Sequence, residues 1–353
     1  MIKSDAMHGI ARYVFELLSQ FREIGKEHRF YILVGPSSPL YQIQWPPHME
    51  LVEVKSRWIS FREQYELPQI LRQIEADLFH SPSFVGPLFC PCQLIMTIHD
   101  LNHVVLPQFY TPLHQFYYLT FVQTCIRRSR FILTVSQFSK NEIVKNLGLP
   151  EDKVFVTYNG VAANYRPLTD NKNWLFYVKE LYELPDEFIF CLSNDKPHKN
   201  IQQLVRAYCL SKLKTPLVLG GPTDEQLFKI ADSYGKKHLL YFTRFIEEVH
   251  LPAIYNLCKF FAYPSTYEGF GLPPLEALAC GVPVLVARSS SLPEVVGEYG
   301  IFVDPYDIHQ MANLLENLPA LAEDKRQKGI LHAQQFSWRE MGEKTLSVYE
   351  RCR

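Results

Sequence analysis

Two carboxylates, Glu268 and Glu276, stand with seven residues between them in YEGFGLPPLEALACG (267–281), and the intervening stretch is rich in glycine and proline. Glycines at a helix start let a ligand approach the backbone closely. The helix-forming run LEALAC follows, and a helix N-terminus offers unpaired N–H groups and partial positive charge to an anion. Carboxylates are poor neighbours for a phosphate, so each should grip something neutral beside it, such as sugar hydroxyls. A loop without a role would hardly need this composition.

Four further places carry groups able to do chemistry. In HGIAR (8–12), Gly9 enters a helix, as a phosphate contact or as a plain helix start. His99 and Asp100 close the apolar run QLIMTI; they serve recognition or proton traffic, or form a turn with an Asx cap. SNDKPHKN (193–200) holds Ser193 and Asn194 and offers Lys196, His198 and Lys199 to a diphosphate, or is a solvated basic turn. In TRFI (243–246), at Arg244 and Phe245, backbone reads a base edge or simply packs. There is no D-x-D pair, no set with metal-ligand spacing, no G-x-G-x-x-G and no G-x-S-x-G, so dehydrogenase and simple hydrolase readings lack their markers. A diphosphate must then be neutralised by lysines and helix N-termini rather than by a bound cation. Each helix-end contact contributes only about 0.3–1 kcal/mol when exposed, so several are needed.

The elements that must position these groups alternate along the chain. Strand-like apolar runs fall at 29–35, 49–54, 77–82, 93–100, 130–136 and 153–160, then at 187–194, 216–221, 239–245, 259–265, 282–287 and 300–304. Helical patterns such as IARYVFELLSQF and NIQQLVRAYCL lie between them. Near-continuous apolar strands alternating with amphipathic helices indicate parallel sheets covered on both faces. There are two such series, which predicts two doubly wound Rossmann-like α/β domains. A weakly patterned stretch, roughly 161–186 with Pro167 and Pro185, reads as the hinge. A helical pattern begins by residue 9, so the first strand is short or missing. Ligands of such sheets bind outside the carboxyl ends of the strands, where all five places lie.

Composition narrows the class. The 353 residues suit two ordinary domains. Hydrophobic residues make up 47%, charged residues 21%, and the formal net charge is -1, so nothing favours bulk nucleic-acid binding. No apolar run approaches the roughly 20 residues of a membrane span, and the start MIKSDAMHGIARY lacks the apolar core of a signal peptide. The eight cysteines are scattered, and Cys90 and Cys92 form a lone C-x-C without the second pair of a zinc site. Reduced, buried thiols in a cytoplasmic protein are expected. The basic run RRSR (127–130) is a solvated helix end or a peripheral contact with the inner face of the plasma membrane.

Taken together, these stretches resemble the retaining glycosyltransferase family 4 (glycosyl transferases group 1), which has the GT-B fold. Glu268 and Glu276 look like its E-x7-E motif. HGIARY resembles its GIGRY helix start, TIHDLNHVVLP its IHDL segment and TVSQFSKNEI its VSxFSK stretch. VTYNGV resembles the domain crossing, PHKN the family's PRKN, and SSLPEVVGEYGIFVDP the late donor-domain segment. FSWREMGEKTLSVYE resembles the closing helix that crosses back to the first domain. Where some members carry a diphosphate arginine, Asn194 stands near its place, leaving Lys196 or His198 as substitutes.

The resemblance implies an acceptor domain over 1–165, a donor domain over 166–335 facing it across a cleft, and a returning helix over 336–353. It implies that His99, Lys199 and Glu268 are catalytic: His99 near the reacting carbon, Lys199 on the departing diphosphate, Glu268 on sugar hydroxyls. Glu276 would hold the ribose. Backbone N–H groups of Phe270, Gly271 and Leu272 would fix the sugar, with Gly269 also in the donor set, and a helix beginning near Leu275 would meet the phosphate. Gly9, Asp100, Ser193, Asn194, Arg244 and Phe245 complete the donor set. The reaction expected is metal-independent, cofactor-free hexose transfer, with retention, from a nucleoside diphosphate sugar to a saccharide or lipid-linked acceptor in polysaccharide or glycolipid synthesis. UDP-glucose is the first choice of donor and GDP-mannose the second. A reading of another class is a non-catalytic sugar-nucleotide-binding protein.

Overall fold

A computed structural model describes residues 9–57, 60–105, 121–318 and 323–352. The readings that fall on residues 1–8, including the first strand and the leader question, lie outside it, as does part of the stretch preceding RRSR.

The chain splits into two compact units, one formed by residues up to Gly160 together with Ser337–Arg353, the other by Val161–Phe336. In the first unit the helix Gly9–Phe21 turns Ala11, Tyr13, Leu17 and Phe21 inward. Strands β1 (Phe30–Val34) and β2 (Met49–Glu53) form a parallel pair. Strands β3 (Leu78–Ser81), β4 (Gln93–Thr97), β5 (Phe131–Thr134) and β6 (Val154–Val156) form a separate parallel sheet in that order. The single N-terminal series of the sequence is therefore built as two parallel pieces among the described residues.

The second unit is one six-stranded parallel sheet. Its strands are β7 (Ile189–Leu192), β8 (Leu217–Gly220), β9 (Leu240–Phe242), β10 (Phe260–Tyr263), β11 (Val284–Ala287) and β12 (Ile301–Val303). They lie in the order β12-β11-β10-β7-β8-β9. All residues of β8, β10 and β11 are buried, as expected for strands with helices on both faces. One face packs against the helices Ile201–Leu210 and Ile308–Glu316 through Leu204, Tyr208, Met311 and Leu315. The chain starts at β7, winds outward to β9, and returns to β10 beside β7. That reversal puts a crevice at the carboxyl ends of β7 and β10, where doubly wound sheets bind ligands.

Every apolar run of the sequence holds a strand, but the strands are shorter because the polar tips leave the ladder. The stretch 161–186 differs more. It contains the helix Lys172–Leu181, held through Val178 within the second unit, and the crossing itself lies between Gly160 and Val161. A Cβ on Gly160 would stand 2.1 Å from the backbone nitrogen of Trp338, so only glycine fits there.

Candidate active site

The segments after β7 and β10 converge. After β7, Asn194 Oδ1 accepts from the N–H of Lys196 at 3.1 Å, an Asx turn that leads into a 3₁₀ turn, Pro197–Lys199. Asn200 then takes a left-handed conformation (φ 60°) and its amide donates to the carbonyls of Pro264, at 3.3 Å, and Pro305, at 2.7 Å. This turn aims Lys199 at the end of β10. There its Nζ donates to Glu268 Oε1 at 2.6 Å and to the Tyr263 hydroxyl at 2.6 Å. The Tyr263 hydroxyl donates to the same Oε1 at 2.8 Å. The Lys199 and Glu268 side chains are only 15% and 14% exposed. Burial opposes ionisation of Glu268, but Lys199 beside it and hydrogen bonds from Lys199, Ser265 and Tyr263 prevail and hold the carboxyl below its ordinary range. The group is thus an ionised carboxylate with a cation already in contact.

A serine framework fixes the loop. Ser265 Oγ donates to the His198 carbonyl at 3.1 Å, and the N–H of Thr266 donates to the same oxygen at 2.8 Å. Ser290 Oγ accepts from the N–H of Glu268 at 3.0 Å. Ser291 Oγ donates to the carbonyls of Glu268, at 3.0 Å, and Phe270, at 2.7 Å. These bonds tie the backbone of Glu268 and Phe270 to Ser290 and Ser291, and Ser265 to the His198 carbonyl.

Gly271 caps the next helix, Leu272–Ala279, at φ 105°. A Cβ there would be strained and would stand 2.7 Å from Leu292 Cδ2. The helix starts at Leu272 rather than near Leu275, because prolines 273 and 274 are preset for a first turn. Those prolines carry no N–H, and the N–H of Leu275 points back to Gly271 O at 3.4 Å. Of the first four N–H positions only those of Gly271 and Leu272 exist to face a ligand. Leu275 therefore has no N–H to give a phosphate, contrary to the expectation from the sequence. Glu276, one turn on, is 2% exposed, and the Tyr255 hydroxyl donates to its Oε2 at 3.4 Å.

The remaining second-unit candidates sit at neighbouring strand ends. The N–H of Ser193 donates to Gly220 O at 3.0 Å, and a Cβ on Gly221 would stand 2.5 Å from Ser193 O. Asn194 is exposed. Arg244 follows β9 at φ 61°, a conformation that costs a non-glycine residue about 1–3 kcal/mol and clusters at functional sites. Phe245 beside it is 60% exposed. His198 is buried, while Lys196 is exposed.

Gly9, His99 and Asp100 belong to the first unit. A Cβ on Gly9 would meet nothing within 4 Å, so local packing does not require glycine there. His99 Nε2 contacts the Pro82 carbonyl at 3.1 Å; since a carbonyl only accepts, Nε2 carries the proton. Burial lowers its pKa against the pull of that carbonyl and of Asp100, which favours the neutral ring. Asp100 Oδ1 accepts from the N–H of Asn102 at 3.0 Å, the Asx cap that stood as the plainer reading. Behind His99 runs a polar chain that the sequence did not reveal. Tyr13 packs edge-on against His99 at 4.8 Å, its hydroxyl lies 3.2 Å from Thr97 Oγ1, and Thr97 Oγ1 lies 2.7 Å from His80 Nε2. His80 Nδ1 meets the Tyr349 hydroxyl at 2.5 Å. Among the described residues, the three side chains grouped closely enough to share a metal ion are Glu27, His28 and Glu350, none of them a candidate above.

Comparison with known proteins follows the two units. Glycosyltransferase Family 4 matches residues 7–165, and Glycosyl transferases group 1 matches residues 176–335. The O-antigen chain mannosyltransferase B of Escherichia coli is 30% identical over 291 residues, covering 79% of this chain and 76% of that protein. The chain belongs to glycosyltransferase family 4. A GDP-mannose-dependent alpha-(1-6)-phosphatidylinositol monomannoside mannosyltransferase of Mycolicibacterium smegmatis is 35% identical over 164 residues, 42% of each chain. Longer serotype-specific mannosyltransferases of E. coli also match this glycosyltransferase, which spans 32–35% of their length. The crystal structure of Anabaena HepE in complex with UDP and glucose superposes with a TM-score of 0.75 at 17% identity, over 99% of this chain and 98% of that one. The fold of this family member is GT-B, with two Rossmann-like domains. Among the described residues no helix is long and apolar enough to cross a membrane.

Proposed function

We propose that the protein is a GDP-mannose-dependent mannosyltransferase that moves mannose, with retention and without a metal ion, to a hydroxyl of a saccharide or lipid-linked acceptor in polysaccharide synthesis. The observation that carries the chemistry is the Lys199–Glu268–Tyr263 cluster at the carboxyl ends of β7 and β10. The mannose reading takes precedence over UDP-glucose because the relatives matched in sequence are named mannosyltransferases. The UDP and glucose of the HepE crystal belong to a protein that shares the fold at 17% identity.

In this reading the diphosphate lies by Lys199, the N–H groups of Gly271 and Leu272, and the positive end of the helix Leu272–Ala279. Lys199 gains most as the leaving diphosphate accumulates charge, which is stabilisation of the transition state rather than of the bound donor. Glu268 Oε1 is occupied by Lys199 and Tyr263, so Oε2 receives the sugar hydroxyls. Gly269 and Phe270 lend backbone beside it. Glu276, fixed by Tyr255, accepts from the ribose, while Ser193, Asn194, Arg244 and Phe245 line the nucleotide's path. In the first unit the proposed roles fall to Gly9, His99 and Asp100, with His99 a neutral ring that accepts at Nδ1. The protein works in the cytoplasm or at the inner face of the membrane.

A thermal-shift panel tests it, because a ligand that binds only the folded state raises the melting point. GDP and GDP-mannose should raise it, with and without EDTA. A shift with UDP-glucose alone would overturn the donor, and loss of the shift on chelation would overturn metal independence.

A further inference from the structure

The C-x-C pair that the transfer chemistry does not use has a geometry of its own. Cys90 and Cys92 flank Pro91 just before β4 (Gln93–Thr97). Proline fixes its own φ and pushes the preceding residue into extended backbone. The chain then bends at Pro91 and Cys92 before β4 begins. The two sulfurs accordingly lie 3.6 Å apart, with both thiols half-buried rather than enclosed in the core. They open on a cavity of about 640 Å³ whose other lining side chains include Arg72, Arg128, Asp77 and Phe89. Arg128 is braced by a 2.7 Å hydrogen bond to Leu88 O and by the Phe89 ring 5.2 Å beneath its guanidinium. With two guanidiniums against one carboxylate, the cavity is positive.

We infer that Cys90 and Cys92 form a thiol–disulfide exchange site for a small anionic disulfide of the glutathione disulfide class. The S–H of Cys92 hydrogen-bonds to Cys90 and, against burial, brings the Cys90 thiol down to about 7, so Cys90 is the attacking thiolate. Burial pushes the neighbouring Cys125 up to about 11 and raises Cys352 as well. The Cys90 thiolate attacks one sulfur of the small disulfide, whose S–S bond breaks to release one glutathione thiolate. Cys92 then loses its proton to solvent and attacks the Cys90 sulfur, forming the Cys90–Cys92 bond and releasing the second glutathione thiolate. Two protein thiols are oxidised, and one small disulfide is reduced to two thiols. A ring closed over a single intervening residue removes little chain entropy, so the bond serves exchange rather than stabilisation. The pair precedes β4 and His99 follows it, with the strand's five residues, about 17 Å long, between them, so this site does not draw on the transfer chemistry.

The full-length protein, incubated with glutathione disulfide and analysed by tryptic mass spectrometry, provides the test. Cys90 and Cys92 should become linked before Cys352 is modified, and Cys92→Ala should accumulate glutathione on Cys90. Arg128→Gln should slow the reaction severalfold with glutathione disulfide but not with neutral 2-hydroxyethyl disulfide. Modification of Cys352 in the wild-type protein as fast as of Cys90 would overturn the site. A Cys92→Ala protein without an adduct on Cys90 would overturn the assigned order of attack, and Arg128→Gln acting equally on both disulfides would overturn the anionic preference.

Discussion

Tyr263 and Lys199 converge on one oxygen: the phenol and the ammonium both donate to Glu268 Oε1, at 2.8 and 2.6 Å, while lying 2.6 Å from each other. The tyrosine ring also faces the ammonium, with Nζ 5.0 Å from its centroid. The phenol therefore helps to keep Glu268 ionised. Tyr263→Phe preserves the ring and removes that donor, so the Glu268 pKa should rise and the acid limb of kcat/KM should move to higher pH. An unmoved limb, with turnover intact, would leave Tyr263 a packing role only.

The two glutamates should separate. Glu276→Gln should weaken binding of the free nucleotide diphosphate by roughly 1–3 kcal/mol, the scale of a hydrogen bond to a charged group. Glu268→Gln should leave that affinity nearly unchanged and still cut turnover, because a misplaced sugar costs about 100-fold per ångström. Calorimetry with nucleotide alone, paired with a transfer assay, reads both; equal effects on both measurements would refute the assignment.

At Gly271, φ 105° and the nearby Leu292 side chain leave no room for a Cβ. Gly271→Ala should cost on the order of 1–3 kcal/mol in unfolding free energy and reduce the donor-induced thermal shift, since its N–H is one of only two at that helix start. A variant as stable as the wild type by denaturant titration would show that the loop relaxes.

His80 predicts a pH dependence of stability. Burial, with His99 nearby, lowers its pKa from 6.5 to about 3. The unfolded chain therefore takes up a proton as pH falls through 6.5, while the folded chain stays neutral until about 3. Stability contributed by the neutral ring is present above 6.5 and lost across that window, with a slope approaching about 1.4 kcal/mol per pH unit. His80→Gln should be less stable at pH 7, having lost contacts to Tyr349 and Thr97, yet flatter in that acid window. Parallel curves for the two proteins would exclude His80 as the titrating group.

Much of this was legible because apolar runs and glycine-proline punctuation are local signals. Every strand lies inside a run visible in the sequence, Lys199 and Glu268 sit in the loops that follow β7 and β10, and Gly271 caps the helix after them. What stayed hidden depends on long-range meeting. Tyr263 reads as one more core residue of FFAYPS, and only the pairing of β7 with β10 brings its hydroxyl to Lys199. Ser290 and Ser291 belong to a serine run that resembles any loop until it folds against residues 268–270. His80 and Tyr349 are 269 positions apart, and no local pattern links them. The start of the helix at Leu272 was misjudged because LEALAC is the stronger helix former, although the prolines ahead of it suit a first turn.

The first unit is assembled from two separated stretches of chain, and this governs when it can be finished. The helix Trp338–Glu350 supplies Val348 to the cluster of Ile95 and Leu133, Tyr349 to Phe21 and Gly342 to a close approach by Gln20. During synthesis, residues up to Gly160 leave the ribosome with that surface bare, and His80 lacks the hydroxyl that caps its Nδ1. The second unit is contiguous and complete in sequence by Phe336, so it can fold without waiting for the remainder. The half of the protein made first is thus the half that closes last.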